Sequence, residues 1–65
     1  MEVKVNGQWQ QGAWGTLREL LGGQKDLPVY YVVAVNQVCV PQKDYASTPL
    51  KPGDEVEILS PMQGG

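Results

Sequence analysis

Residues 16–23, TLRELLGG, carry the clearest helical pattern in this sequence. Thr16 can cap the first amide groups of a helix, and Glu19, three residues later, completes a capping box. The three leucines fall on one helical stripe, which predicts that this face packs on other structure. Gly22 and Gly23 provide the stop, because glycine tolerates the left-handed conformation of a C-cap. So short a helix needs packing to be stable, so the flanking segments should supply a sheet.

Two strands are expected before the helix. Val3 and Val5 alternate with polar neighbours, as in a half-buried strand. Asn6-Gly7 favours the positive φ angles of a tight hairpin turn. A second strand should therefore run over residues 8–13, with Trp9 on one face and Gly12 weakening or bulging it.

Three strands are expected after the helix. Residues 30–35, YYVVAV, form a continuous apolar run, which is typical of a central strand covered on both faces. A turn at residues 36–37 leads to a short strand that Pro41 ends. Residues 42–50 are predicted to be irregular, with one helical turn near Asp44-Tyr45. After a Pro-Gly turn, residues 55–59 alternate in polarity as a last strand.

The order β-β-α-β-β-β predicts an α+β roll, in which a mixed sheet of about five strands packs on one short helix. We expect one domain over residues 1–60 and a flexible C-terminal tail over residues 61–65. The candidate core combines the helix leucines with the inward-facing aliphatic side chains of the strands: Val3, Val5, Leu17, Leu20, Leu21, Val33, Val35, Val56 and Ile58.

Length and composition exclude several classes of function. A chain of 65 residues is small, and one of about 60 residues buries only about 60% of the surface its unfolded form exposes. With no His and one Cys, the chain lacks the common zinc ligand sets and the Ser-His-Asp and Cys-His arrangements. We therefore expect no catalytic residues, no metal site and no cofactor bound by the chain itself.

Charge and cysteine content bear on partners and location. The formal charge of −2 and the pI near 4.7 argue against nucleic-acid binding, which needs clustered basic residues. No apolar run approaches the roughly 20 residues of a membrane span, and residues 1–4 do not resemble a signal peptide. A single Cys permits no internal disulfide, which favours a reducing, cytoplasmic setting.

Several conspicuous residues have ordinary structural interpretations. Cys39 lies between two valines and is predicted to be a buried, small apolar side chain. Asp54, Glu55 and Glu57 are interpreted as a solvated strand edge that discourages pairing between sheets. The two tryptophans could mark a partner surface or could partly cover the core, and the sequence leaves both possibilities open.

The sequence finishes with Gly64-Gly65, a pair that chance produces about once in 200 chains. Residues 61–65 could extend about 17 Å from the domain, and residues without a Cβ fit a narrow channel. Such a tail would present the ionised α-carboxylate of Gly65. Attack of this carboxylate on the α-phosphate of ATP would activate it towards a sulfur nucleophile, with a separate enzyme supplying the charge stabilisation. A frayed terminus is the alternative interpretation.

The chain resembles the ThiS family of sulfur carriers in thiazole biosynthesis, within the ubiquitin-like β-grasp superfamily. The resemblance covers essentially all 65 residues. The length of the chain also suits this family, whose members are shorter than MoaD-type carriers. Many family members have Arg after the Val-Pro pair, whereas Gln42-Lys43 follows here, so the contacts of that Arg are not carried over. The resemblance rests on the order and spacing of Val5-Asn6-Gly7, Thr16-Leu17, Glu19-Leu20-Leu21, Val33-Ala34-Val35-Asn36, Val40-Pro41, Leu50, Gly53-Asp54, Val56-Glu57-Ile58 and Pro61-Met62-Gln63-Gly64-Gly65.

The resemblance implies a cycle of sulfur transfer. A ThiF-like adenylyltransferase would use ATP and Mg²⁺ to adenylate Gly65, and sulfur from a cysteine desulfurase relay would convert it to a covalent thiocarboxylate. A ThiG-like thiazole synthase would then accept the sulfur. On this pattern Gly65 carries the sulfur, while Gly64, Gln63 and Met62 thread into the partner's active site.

Strand alternation also predicts a docking patch. If Val33 and its neighbours in register face the helix, then Val32, Ala34 and Leu59 face away. Together with Met62 they are expected to form an exposed apolar patch beside the tail. Such patches mark docking sites more often than isolated apolar residues do. Local cover by loop residues such as Tyr45 is the alternative.

Three other functions remain open on the sequence alone. A MoaD-like or other β-grasp sulfur carrier would use the same tail chemistry for a different acceptor. A ubiquitin-like protein modifier would appear in covalent conjugates. In a non-covalent interaction module, deletion of the tail would leave partner affinity unchanged.

Overall fold

The computed structural model describes residues 1–60. The elements follow the predicted β-β-α-β-β-β order, with a 3₁₀ helix before the last strand. The predicted flexible tail, residues 61–65, lies outside the described residues. In chain order the elements are β1 (Glu2–Val5), β2 (Gln8–Gln11), α1 (Leu17–Gly22), β3 (Val32–Val35), β4 (Val38–Val40), the 3₁₀ helix (Gln42–Ser47) and β5 (Glu55–Leu59).

The five strands form one mixed sheet in the order β2-β1-β5-β3-β4. Two antiparallel hairpins, β1-β2 and β3-β4, lie on either side of β5. β5 runs parallel to β1 and antiparallel to β3. The last strand of the chain is therefore the central strand of the sheet.

The strand predicted over residues 30–35 is confirmed only as the shorter β3, an interior strand that pairs with β5 and β4. β3 begins only at Val32, Tyr30 lies exposed in the preceding loop, and β5 separates β3 from the other hairpin. Since Val32 is 44% exposed, the strand is not covered on both faces. An apolar run records the propensity of a segment to form a strand, but not its neighbours in the sheet.

Both hairpins turn through residues with positive φ. Asn6 and Gly7 have φ of 49° and 83°, and Asn36 and Gln37 have φ of 50° and 70°. Two consecutive positive angles are typical of type I′ turns, which match the twist of the flanking strands. Both predicted turns are therefore confirmed.

β2 is shorter than predicted, because it ends at Gln11 rather than Ala13. The Gly12 amide donates a hydrogen bond to the carbonyl of Met1. The Trp14 ring then packs over Gly12, where a Cβ would collide with it. The glycine therefore marks the end of the strand and permits the close approach of Trp14.

The predicted helix and its capping box are confirmed. Thr16 accepts a hydrogen bond from the Glu19 amide, and the Glu19 carboxylate accepts one from the Thr16 amide. The helix stops at the glycine pair as expected, but Gly23 has φ of −96° and ψ of −1°. The stop therefore uses a right-handed conformation and not the left-handed cap that was predicted.

Thr16→Ala is expected to destabilise the fold by about 0.5–2 kcal/mol, since it leaves helix amides without the capping hydroxyl. Thr16→Ser keeps that hydroxyl and should remain close to the wild type. Urea unfolding of the three proteins measures the difference. Equal unfolding free energies for the Ala and Ser variants would contradict a role of the cap in stability.

Eight buried aliphatic side chains form the core between α1 and one face of the sheet. Val35 and Ile58, which were predicted to be buried, are only partly buried at its margin. Leu50 was missed, because it lies in a segment predicted to be irregular. Its amide donates to the carbonyl of Gly15, and this bond draws Leu50 against the start of the helix. The core residues are Val3, Val5, Leu17, Leu20, Leu21, Val33, Leu50 and Val56.

The segment before β5 is more regular than predicted, since residues 42–47 form a 3₁₀ helix instead of a single turn. Thr48 closes this helix by donating its hydroxyl to the carbonyl of Asp44. Within residues 1–60, no helix combines the length and hydropathy required to cross a membrane.

Candidate functional site

The sheet face turned away from α1, called the outer face here, carries the predicted docking patch. Val32 lies directly opposite Leu59 in the β3-β5 register, and Ala34 lies opposite Glu57. Val32 and Leu59 are 44% and 55% exposed, and Ala34 is half-buried. The structure therefore brings these three side chains together, and the surrounding loops leave the two larger ones accessible.

Acidic side chains lie beside this patch on the same face. Glu55 and Glu57 both project from β5 and are exposed. Their interpretation as a strand edge was wrong, because β5 is the central strand of the sheet. Asp54 belongs to the preceding turn, where its carboxylate accepts hydrogen bonds from the Lys51 amide and the Asn36 side chain. The outer face thus combines an apolar half with two carboxylates at its centre.

Cys39 is exposed and its thiol is free, so the prediction of a buried cysteine was wrong. It pairs with Ala34 on the edge strand β4, where none of the elements within residues 1–60 forms a second layer over the outer face. Of the two possibilities left open for the tryptophans, an exposed surface suits Trp9 and partial cover of the core suits Trp14. Trp9 is 56% exposed, with the Lys4 ammonium 5.6 Å from the centre of its ring, whereas Trp14 is half-buried against the core.

A cleft of about 680 Å³ opens between α1 and the 3₁₀ helix, on the other side of the sheet. Its wall includes Arg18, Lys43 and the aromatic rings of Tyr31 and Tyr45. Burial raises the pKa of Tyr45, and the nearby Tyr31 and Cys39 raise it further. Gln42, which follows the Val-Pro pair, also lines this cleft. It borders a second pocket together with Val32 and Cys39 of the outer face, so it lies between the cleft and that face.

β5 is fixed at both ends by asparagines of the hairpin turns. The Asn6 side chain accepts a hydrogen bond from the Ile58 amide at 2.7 Å and donates one to the Ile58 carbonyl at 3.2 Å. The Asn36 side chain accepts from the Glu55 amide at 3.0 Å and donates to Asp54 at 3.0 Å. The sequence identified both asparagines only as turn residues, because their partners lie far along the chain.

The predicted tail residues Met62, Gln63, Gly64 and Gly65 lie outside the described residues. Ser60, which is half-buried, is the last residue described. Over residues 1–60, no group of three or more His, Cys, Asp or Glu side chains is placed to hold a metal ion.

Comparisons with known proteins agree on one family. A sequence model described as the ThiS family matches residues 3–65 of this chain. The chain is similar to the crystal structure of a thiamine biosynthesis protein (ThiS) from Geobacter metallireducens, with 30% sequence identity and a TM-score of 0.84. That match covers 100% of both chains. The shared fold is the ubiquitin-like β-grasp. The comparison with curated proteins found no match.

Proposed function

The chain belongs to the ThiS family, and on that premise we propose that it is a sulfur carrier of thiamin biosynthesis that holds its sulfur as a thiocarboxylate on Gly65. The observation that carries this proposal is the family match itself, which continues to Gly65 and so includes the Gly64-Gly65 pair. The solved thiamine biosynthesis protein to which the chain is similar over its whole length supports the same pathway.

The proposed chemistry takes place on the Gly65 carboxylate. One carboxylate oxygen attacks the α-phosphate of ATP, pyrophosphate leaves, and an acyl adenylate forms. The terminal sulfur of a persulfide from a cysteine desulfurase relay then displaces AMP and forms an acyl disulfide. A second thiol attacks the relay sulfur of that disulfide, forms a new disulfide with the relay, and so releases Gly65 as the thiocarboxylate. The ThiF-like enzyme supplies Mg²⁺ and the groups that stabilise the developing charge. The chain itself is a substrate in these steps, with no catalytic residue and no cofactor of its own.

We propose that the outer face docks first on the ThiF-like enzyme and then on the ThiG-like thiazole synthase. Val32, Ala34 and Leu59 would supply the apolar contact, and Glu55 and Glu57 favour a partner surface with basic groups beside it. Gly64, Gln63 and Met62 would enter the partner's active site. The cytoplasm suits this chemistry, because its reducing conditions keep a free thiol such as Cys39 reduced.

The test is the intact mass of the protein after incubation with a ThiF-like enzyme, Mg·ATP and a sulfide source. We expect a mass gain equal to the replacement of one oxygen by sulfur. No gain, with an enzyme shown to be active on a control carrier, would contradict the proposal and favour a non-covalent interaction module. Recovery of molybdopterin synthase instead of ThiG in a pull-down would favour a MoaD-like role, and covalent high-mass conjugates in cells would favour a protein modifier.

Val32→Asp is expected to raise the KM of the ThiF-like enzyme for this carrier about tenfold or more, because it places a charge in the apolar docking surface. Val38→Asp is the matched control. Val38 is also an exposed valine on a strand, but it is paired with Val35 and lies on the opposite face of the sheet. Steady-state kinetics with both variants measure the effect. Equal KM values for the two would contradict docking through the outer face.

A further inference from the structure

The side chain of Asn6 completes the sheet at the end of β5. The parallel β1-β5 pairing runs through Val5 and Val56, and the Asn6 amide then donates to the Val56 carbonyl at 2.9 Å. Beyond this point β1 turns into its hairpin, so no further main-chain groups of that strand face Ile58. The Asn6 side chain takes their place, because it satisfies both the amide and the carbonyl of Ile58.

Asparagine suits this position for two reasons. Its amide offers one acceptor and one donor group, which match the donor and acceptor of a single main-chain residue. It also tolerates the left-handed region, and Asn6 has φ of 49° in the turn. An aspartate could accept from the Ile58 amide but could not donate to the carbonyl.

We infer that Asn6 is a positioning residue for the charging of Gly65. This inference rests on the proposed function. Asn6 holds Ile58, seven positions before Gly65 in the sequence, while Val32 holds Leu59 from the other side of the strand. The two contacts fix where the chain leaves the sheet, and so fix where the last residues begin relative to the docking patch. Release of the Asn6 contact lengthens the stretch of chain between the last point held by the sheet and Gly65, and this lowers the effective concentration of the carboxylate at the partner's active site.

Asn36 provides an unusually close control. It has the same residue type and nearly the same φ, 50°, in the other hairpin turn. Its side chain also binds β5, but at Glu55, the end farthest from Gly65. Loss of either asparagine should loosen the end of β5 that it holds, whereas only loss of Asn6 should affect the delivery of the carboxylate.

The test compares Asn6→Gly with Asn36→Gly, because glycine keeps the positive φ of each turn while it removes the side-chain hydrogen bonds. The reaction is adenylation by the ThiF-like enzyme, measured as kcat and KM for the carrier, at a temperature where both variants are folded. We expect Asn6→Gly to lower kcat about tenfold or more with little change in KM, since misplacement of a reacting group slows the reaction step. Asn36→Gly should keep the wild-type kcat, and Asn6→Asp, which retains the acceptor, should fall in between.

Amide hydrogen exchange at Ile58 gives a second readout, and it should accelerate in Asn6→Gly but not in Asn36→Gly. Equal kcat values for the two glycine variants, or a loss in Asn6→Gly that follows thermal stability alone, would overturn the positioning role. A wild-type carrier that the enzyme does not adenylate at all would instead contradict the proposed function, and the role of Asn6 with it.

Discussion

Deletion of Gly65 is expected to abolish sulfur charging completely while leaving the fold intact. The deletion withdraws the terminal carboxylate by one residue, about 3.3–3.6 Å along an extended chain. Reacting atoms must approach within about 3–3.5 Å of each other. The shortened carrier therefore cannot bring its carboxylate to the α-phosphate of ATP while the domain remains docked.

The fold should not change, because all eight core side chains lie between Val3 and Val56. The measurement is the intact mass after incubation with the ThiF-like enzyme, Mg·ATP and sulfide, together with the thermal unfolding midpoint. Gly65→Ala is the length-matched control. We expect it to be charged slowly, since its carboxylate keeps its reach but a Cβ must enter the channel. A mass gain in the deletion variant equal to that of the wild type would contradict the assignment of Gly65 as the residue that carries the sulfur.

Local signals predicted much of the fold. The capping box of Thr16 and Glu19, the two Asn-containing turns and the alternation of residues 55–59 all depend on neighbours within a few positions. Each was confirmed, because hydrogen bonds and turn angles over so short a span have few alternatives. The leucines of α1 were likewise predicted to be buried, and they are.

The sequence did not predict which strands, distant along the chain, pair with each other in the sheet. No local pattern shows that β5 inserts between the two hairpins and takes the central position, with β3 beside it. For that reason Glu55 and Glu57 were wrongly predicted to lie on an edge. The exposure of Cys39 also depends on whether other elements cover the outer face; none among the described residues does, and a strand pattern cannot show this.

In the candidate site, too, the local features were predictable from the sequence and the long-range contacts were not. Alternation was sufficient to predict that Val32 and Leu59 share a face, and the register places them directly opposite each other. The contact of Asn6 with Ile58 spans 52 positions of sequence. It was not predictable, because a turn residue and an ordinary strand residue show no sign of their pairing. The assignments of residues 62–65 still rest on the sequence and the family match.

Leu20→Ala is expected to remove a large share of the stability of this domain. Leu20 is fully buried on α1, at the centre of the core. Truncation of a buried leucine costs about 2–5 kcal/mol, through lost transfer energy and the cavity left behind. A domain of this size has about 3–10 kcal/mol of stability in total. The variant should therefore unfold at a much lower urea concentration than the wild type.

Leu59→Ala makes the same chemical change on the outer face, where the side chain is 55% exposed. Its loss should shift stability by only about 0.5 kcal/mol, yet it should weaken docking on the ThiF-like enzyme, since Leu59 belongs to the docking patch. Urea unfolding followed by tryptophan fluorescence suits both variants, because Trp14 packs against the core and reports its loss. The two leucines should thus separate folding from docking: Leu20 acts through the core, and Leu59 through the partner. Similar unfolding midpoints for the two variants would contradict this division, because the outer face would then contribute to stability as much as the core does.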